Sequence, residues 1–141
     1  MLRVLYGADL MNIAGTGIDV TEVVRMRAAL EHPRTGTRFR ARVFTPGEQA
    51  YCERRGRARY ESYAARFAAK EATMKALGVG WGRDVSWLEI EVVRERDGRP
   101  EIVLAGNAAA YAARTGIARL HLALTHTAEL ALAHVIAERE P

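Results

Sequence analysis

Arg66-Phe67-Ala68-Ala69-Lys70-Glu71-Ala72-Thr73-Met74-Lys75-Ala76-Leu77-Gly78 holds both lysines of this 141-residue chain; every other cation of the 21 Lys and Arg is arginine. Lysine carries a compact ammonium that can release a proton, which arginine does not do in proteins. Here two lysines bracket a glutamate inside a run of small and apolar residues. Either a polar site is cut into a packed helix, or two lysines share a solvated helix face. For Lys70 the two readings weigh equally.

The stretch belongs to a long helix over Tyr60 to Leu77. Its predicted buried positions are Tyr60, Tyr63, Ala64, Phe67, Ala68, Met74 and Leu77. Gly78 suits the left-handed cap at its end, and Gly78-Val79-Gly80-Trp81-Gly82 follows as a glycine-rich loop. Glu71 and Lys75 are four apart and share a face. Alone, such a pair reads most simply as a surface ion pair.

Upstream, Ile13 to Val20 reads as a strand weakened by Gly15 and Gly17 and ending near Asp19. Thr21 is placed to cap a helix over Glu22 to Glu31, with Val23, Met26, Ala29 and Leu30 on one face. His32 to Gly36 forms a loop. Thr45-Pro46-Gly47-Glu48 carries a capping box with proline at the first helical position. Downstream, Val85 to Arg94 and Glu101 to Leu104 flank Asp97-Gly98 and predict a hairpin. Asn107 to Arg114 is a short helix capped by Asn107. Leu120 to His126 alternates as a strand, and Leu130 to Ala137 is another. The fold class is α+β: helices in the first half, an antiparallel sheet mainly from the second, packed on the long helix. Residues 1–10 precede a second methionine, Met11, and read as an N-terminal extension to a single domain over 11–141.

Hydrophobic residues make up 49% of the chain, enough for a core. No apolar run approaches the roughly 20 residues of a membrane span, and residues 1–10 are too short and polar for a signal peptide. The single Cys52 has no partner for an internal disulfide. These features predict a cytoplasmic protein. Net charge is +4, with arginines clustered in Arg25 to Arg42 and Arg54 to Arg59, a surface suited to a polyanionic partner. A nucleic-acid binder interleaves aromatics with its cations, yet Arg25 to Arg42 contains only Phe39. Neither nucleic acid nor membrane is expected as a partner.

Asp19 after its strand is a turn residue or a hard oxygen ligand, and with Glu71 it would form a carboxylate pair of the kind that holds Mg²⁺ together with substrate phosphates. His126 closes the Leu120/Leu122/Leu124 face; a lone histidine there reads first as a core residue. The glycine loop lacks the Gly-Lys-Ser/Thr of a nucleotide-binding P-loop.

Three segments occur in order: Gly17-Ile18-Asp19-Val20; Arg66 to Gly78; and Leu124-Thr125-His126-Thr127. Together they resemble the holo-[acyl-carrier-protein] synthases, the small bacterial 4′-phosphopantetheinyl transferases, over Ile13 to about Glu138. Residues before Met11 lie outside the pattern, and Ala123 stands where serine is frequent. The resemblance implies transfer of 4′-phosphopantetheine from coenzyme A to a serine of an apo acyl carrier protein, with release of adenosine 3′,5′-bisphosphate. It implies Mg²⁺ on Asp19 and Glu71, Lys75 at the pyrophosphate, and Arg66, Gly78, His126 and Thr127 lining the coenzyme site. It implies docking of the acidic carrier on Arg25, Arg38, Arg42 and Phe67, and a homotrimer with sites between subunits. The competing reading is a basic module that binds an acidic protein or nucleic acid without chemistry.

Overall fold

The computed structural model describes residues 12–80 and 85–140. The first strand, β1 (Ile13–Glu22), runs two residues past the predicted end and leads directly into α1 (Val23–Glu31). Thr21 does not cap α1, whose N-terminal flank is Glu22 with no side-chain cap. Its hydroxyl instead donates to Asp19 Oδ2 at 3.3 Å. A second helix, α2 (Gly36–Val43), occupies a segment that showed only as an arginine cluster. α3 (Pro46–Glu53) starts at the predicted capping box, with both reciprocal bonds formed between Thr45 and Glu48. After a short 3-10 turn, α4 (Arg59–Leu77) is the long helix, ending at Gly78 with φ 74°.

The second half departs from the sequence reading at two points. Val85 to Glu89 is not strand. Ser86 and Glu89 form a capping box around a 3-10 turn at Trp87–Glu89, so only Ile90–Arg94 (β2) pairs with Pro100–Leu104 (β3). Asn107 does not cap α5 (Gly106–Arg114), which is flanked by Ala105. The Glu89 carboxylate accepts from the Asn107 backbone N–H at 2.9 Å and does the capping from a distant part of the chain. β4 (Ile117–His126) and β5 (Leu130–Arg139) form the closing hairpin. The proposed extension over 1–10, and Trp81-Gly82 of the glycine loop, lie outside the described residues.

The main sheet has the antiparallel order β1-β5-β4, and β2-β3 is a separate two-stranded sheet. The main sheet thus takes one edge strand from the helical half, which the sequence reading assigned only loosely. α4 packs against β1 and β5. Ala64, Ala68, Ala69, Ala72 and Ala76 of the helix are buried with Ala131, Ala133 and Ala137 of β5. Methyl-lined surfaces bury little area each, so cohesion depends on close backbone approach. Gly15 and Gly17 provide it. A Cβ at Gly17 would lie 1.9 Å from the Ala72 carbonyl oxygen, and one at Gly15 would lie 2.3 Å from that of Ala76. These glycines are the contact surface of the strand rather than weak points within it.

Candidate active site

β1 crosses α4 at its glycines, so the residue two beyond Gly17 reaches the last turns of the helix. That residue is Asp19. Lys75 Nζ donates to Asp19 Oδ1 at 3.0 Å and to the Ile18 carbonyl at 2.9 Å. Both Asp19 oxygens are therefore engaged, one by Lys75 and one by Thr21. Among the described residues, the ion pair of Lys75 is with Asp19 and not with Glu71 one turn earlier.

Glu71 faces the same space. Asp19 and Glu71 both line a cavity of about 460 Å³, with Glu22, Arg25, Met26, Phe39 and Phe67 around them. Partial burial pushes the Glu71 carboxyl above the usual carboxylate range, and the Asp19 charge adds to this; Lys75 opposes it. Two carboxylates face one cavity, the ammonium beside them is paired with Asp19, and Glu71 resists ionisation. A cation of higher charge would relieve that excess. No cluster of three or more His, Cys, Asp or Glu side chains able to hold a metal occurs among the described residues. The donor set suits a hard cation that completes its shell with oxygens from outside the protein, as Mg²⁺ does with phosphates.

A second cavity of about 750 Å³ adjoins the first, and Ala29 and Phe39 line both. Its basic lining is Arg38 and Arg42 of α2. Arg25 and Phe67 lie in the carboxylate cavity, so the four predicted carrier-docking residues fall on one continuous surface around α1 and α2. Met26, Phe39 and Thr21 were absent from the sequence-based site. The α1 apolar spacing named Met26 as core, and nothing in the linear pattern pointed Phe39 or Thr21 toward Asp19.

Other predicted residues lie elsewhere. Arg66 is buried, its guanidinium 3.8 Å from the Tyr51 ring centroid and its Nε without a partner. Gly78 caps α4 three residues beyond Lys75. His126 ends the outer strand β4, and Thr127 forms the turn, its hydroxyl accepting from the N–H groups of Glu129 and Leu130. His126 pairs with Ala131 and Ala131 with Thr21, so two strand spacings separate His126 from β1.

Lys70 is not on a solvated face. It is fully buried, 2.7 Å from Glu48 Oε2, and donates to the carbonyls of Val43 (2.8 Å) and Trp87 (2.9 Å). Burial lowers its pKa, and Glu48 counters that fall.

The sequence pattern of the 4′-phosphopantetheinyl transferase superfamily matches residues 15–133, from the first contact glycine to β5. The chain belongs to that superfamily. It is similar to the holo-[acyl-carrier-protein] synthase of Solibacter usitatus, 50% identical over 126 residues, covering 89% of this chain and 98% of the relative. Among solved structures it resembles the holo-(acyl-carrier-protein) synthase of Bacillus anthracis in complex with CoA (3′,5′-ADP). That likeness has a TM-score of 0.75 at 33% identity over 92% of this chain and all of the other. The synthase of Neisseria meningitidis matches with a TM-score of 0.79 at 30% identity, covering 90% and 99%. Within this phosphopantetheinyl transferase fold, the strand–helix crossing places Asp19, Glu71 and Lys75 together.

Proposed function

We propose that the protein is a cytoplasmic holo-[acyl-carrier-protein] synthase. It transfers 4′-phosphopantetheine from coenzyme A to a serine of an apo acyl carrier protein. The observation that carries this reading is the convergence of Asp19 and Glu71 at one cavity, with Lys75 paired to Asp19, beside a basic, aromatic-walled surface.

In the reaction the acceptor serine oxygen forms a bond to the phosphorus bearing pantetheine. The bridging P–O bond of the pyrophosphate breaks, and adenosine 3′,5′-bisphosphate leaves. Such transfers depend on positioning and charge neutralisation more than on a protein nucleophile. Asp19 and Glu71 would hold Mg²⁺, which would neutralise pyrophosphate charge when bound. Lys75 is half exposed, and its ammonium can turn from Asp19 to the departing phosphate, supplying charge or a proton. Glu71 lines the cavity beside Asp19 and acts through the metal it would hold, while the proton of the acceptor hydroxyl passes to solvent. Arg25, Arg38, Arg42 and Phe67 present cations and an aromatic ring to an acidic helix of the carrier.

The active form is proposed to be a homotrimer with sites between subunits. Supporting this, the outer face of the main sheet exposes Ile18 (56%), Val20 (53%) and Leu130 (43%). Within one protomer, His126 and Thr127 lie two strand spacings from β1, and the proposed trimer would bring a neighbour's copies of these residues toward Asp19. Gly78 would contribute to that coenzyme site from the end of α4, whereas Arg66 is buried against Tyr51.

The test is incubation with coenzyme A, Mg²⁺ and an apo carrier protein, read by intact mass. The expected result is a carrier heavier by one phosphopantetheine, formed only with Mg²⁺ and lost in excess chelator. An unmodified carrier in the complete mixture would overturn the reading.

A further inference from the structure

We propose that Lys70 is a positioning residue for the carrier side of this site, holding Trp87 behind Phe67, the ring that walls the carboxylate cavity. The inference rests on the transferase reading above.

A lysine ammonium has three protons to donate, and Lys70 has three acceptors: Glu48 at 2.7 Å, the Val43 carbonyl at 2.8 Å and the Trp87 carbonyl at 2.9 Å. Val43 is the last residue of α2, the helix that presents Phe39 to both cavities. The Trp87 ring stacks on Phe67, with centroids 5.0 Å apart and planes at 23°. Phe67 and Glu71 are three residues before and one after Lys70 on α4, and both line the cavity. One buried cation therefore ties down the segments behind both aromatic walls, next to the residue that supplies a carboxylate.

The anchor is itself fixed. Glu48 accepts from the N–H groups of Thr45 and Val92, at 2.9 and 2.8 Å. Lys70 and Glu48 are fully buried, and their partners are largely so. A buried ion pair contributes little net stability over well-packed apolar residues. What an apolar residue cannot do is bond two carbonyls from separate segments. Lys70 is thus better explained by what it positions than by what it stabilises.

The experiment compares wild type, Lys70→Met, Trp87→Leu and the double variant in steady-state transfer with Mg²⁺, varying carrier and coenzyme A separately. Each single variant should raise the carrier KM about tenfold, roughly 1.4 kcal/mol, with turnover and coenzyme A KM within about twofold. Because both act through one wall, the double variant should be no worse than the worse single. Trp87→Leu leaves the Lys70–Glu48 pair intact, so an unchanged carrier KM in that variant overturns the proposal even if Lys70→Met fails to fold. Multiplying effects in the double variant, or a loss of turnover at unchanged carrier KM, would also overturn it. A wild type without transfer defeats the underlying transferase reading instead.

Discussion

The Lys75 ammonium lies 3.0 Å from the carboxylate of Asp19, on another element and 56 residues away in sequence. Glu71, the helical neighbour that sequence spacing offers it, is left facing the cavity with a raised pKa. This arrangement depends on how closely β1 approaches α4, and hence on two glycines.

Gly17→Ala should be among the most damaging single-methyl changes available. Its Cβ would meet the Ala72 carbonyl oxygen at 1.9 Å, a backbone atom that cannot rotate away. We expect a loss of about 3 kcal/mol or more and loss of transfer as Asp19 is pushed from Lys75. Gly80→Ala is the control: its Cβ meets nothing within 4 Å, and calorimetry should find its Tm unchanged. Equal Tm for both variants would refute the close-approach argument.

Glu71→Gln should separate stability from activity. The folded-state pKa of Glu71 is raised, so its favourable contribution is complete below the unfolded value near 4.5 and is lost as pH rises through the folded value. At neutral pH the ionised side chain therefore burdens the metal-free fold. Glutamine mimics the protonated form. The variant should melt above wild type at pH 7 and close to it at pH 4, while losing transfer. A lower Tm than wild type at pH 7 would contradict this.

Much of the frame was legible because local chemistry decided it. The capping box at Thr45 and Glu48, the glycine after Leu77 and the Asp97-Gly98 turn each specify a backbone geometry within a few residues. The failures came where a partner other than the one the local pattern offered took over, distant at Asn107 and three residues away at Ser86. Asn107 yielded its capping role to Glu89, and Val85 to Glu89 gave up strand alternation to a Ser86–Glu89 box. α2 was hidden because arginine dominates its polar face, leaving only Phe39 and Val43 to mark an apolar one. At the site, the order of motifs pointed to Asp19, Glu71 and Lys75. The real pairing of Lys75 and the burial of Lys70 against Glu48 needed the crossing of elements, which no spacing rule contains.

Cys52 should be inert in the native protein. It is fully buried, and burial pushes its thiol up to about 12, so almost no thiolate exists at neutral pH. A thiol reagent such as dithiobis(nitrobenzoate) should report no fast-reacting group until denaturant is added. Rapid stoichiometric labelling without loss of structure would show that α3 opens far more readily than its packing implies.

Carrier docking should follow charge. Arg38→Glu and Arg25→Glu place an acid on the surface proposed to meet an acidic helix, and such changes act mainly on encounter rate. The carrier KM should rise severalfold, more at low salt than at high salt, with coenzyme A KM unchanged. A parallel rise in coenzyme A KM would reassign these arginines to the nucleotide side.

Lys75→Arg is the sharpest test of the site. The substitution keeps the positive charge, and a 52% exposed side chain leaves room for a larger group, so the fold should be intact and the Tm close to wild type. If the Asp19 contact were only a surface ion pair, worth at most about 1 kcal/mol, arginine would serve as well and turnover would persist. A guanidinium differs in two respects: it is planar and broad where the ammonium is compact, and it does not release a proton in the working pH range. Support of a departing phosphate by Lys75 uses both properties of the ammonium. Turnover should therefore fall by at least about tenfold, with coenzyme A affinity changed much less. Wild-type turnover in this variant, with Tm unchanged, would reduce Lys75 to a tether for Asp19 and leave proton supply to solvent.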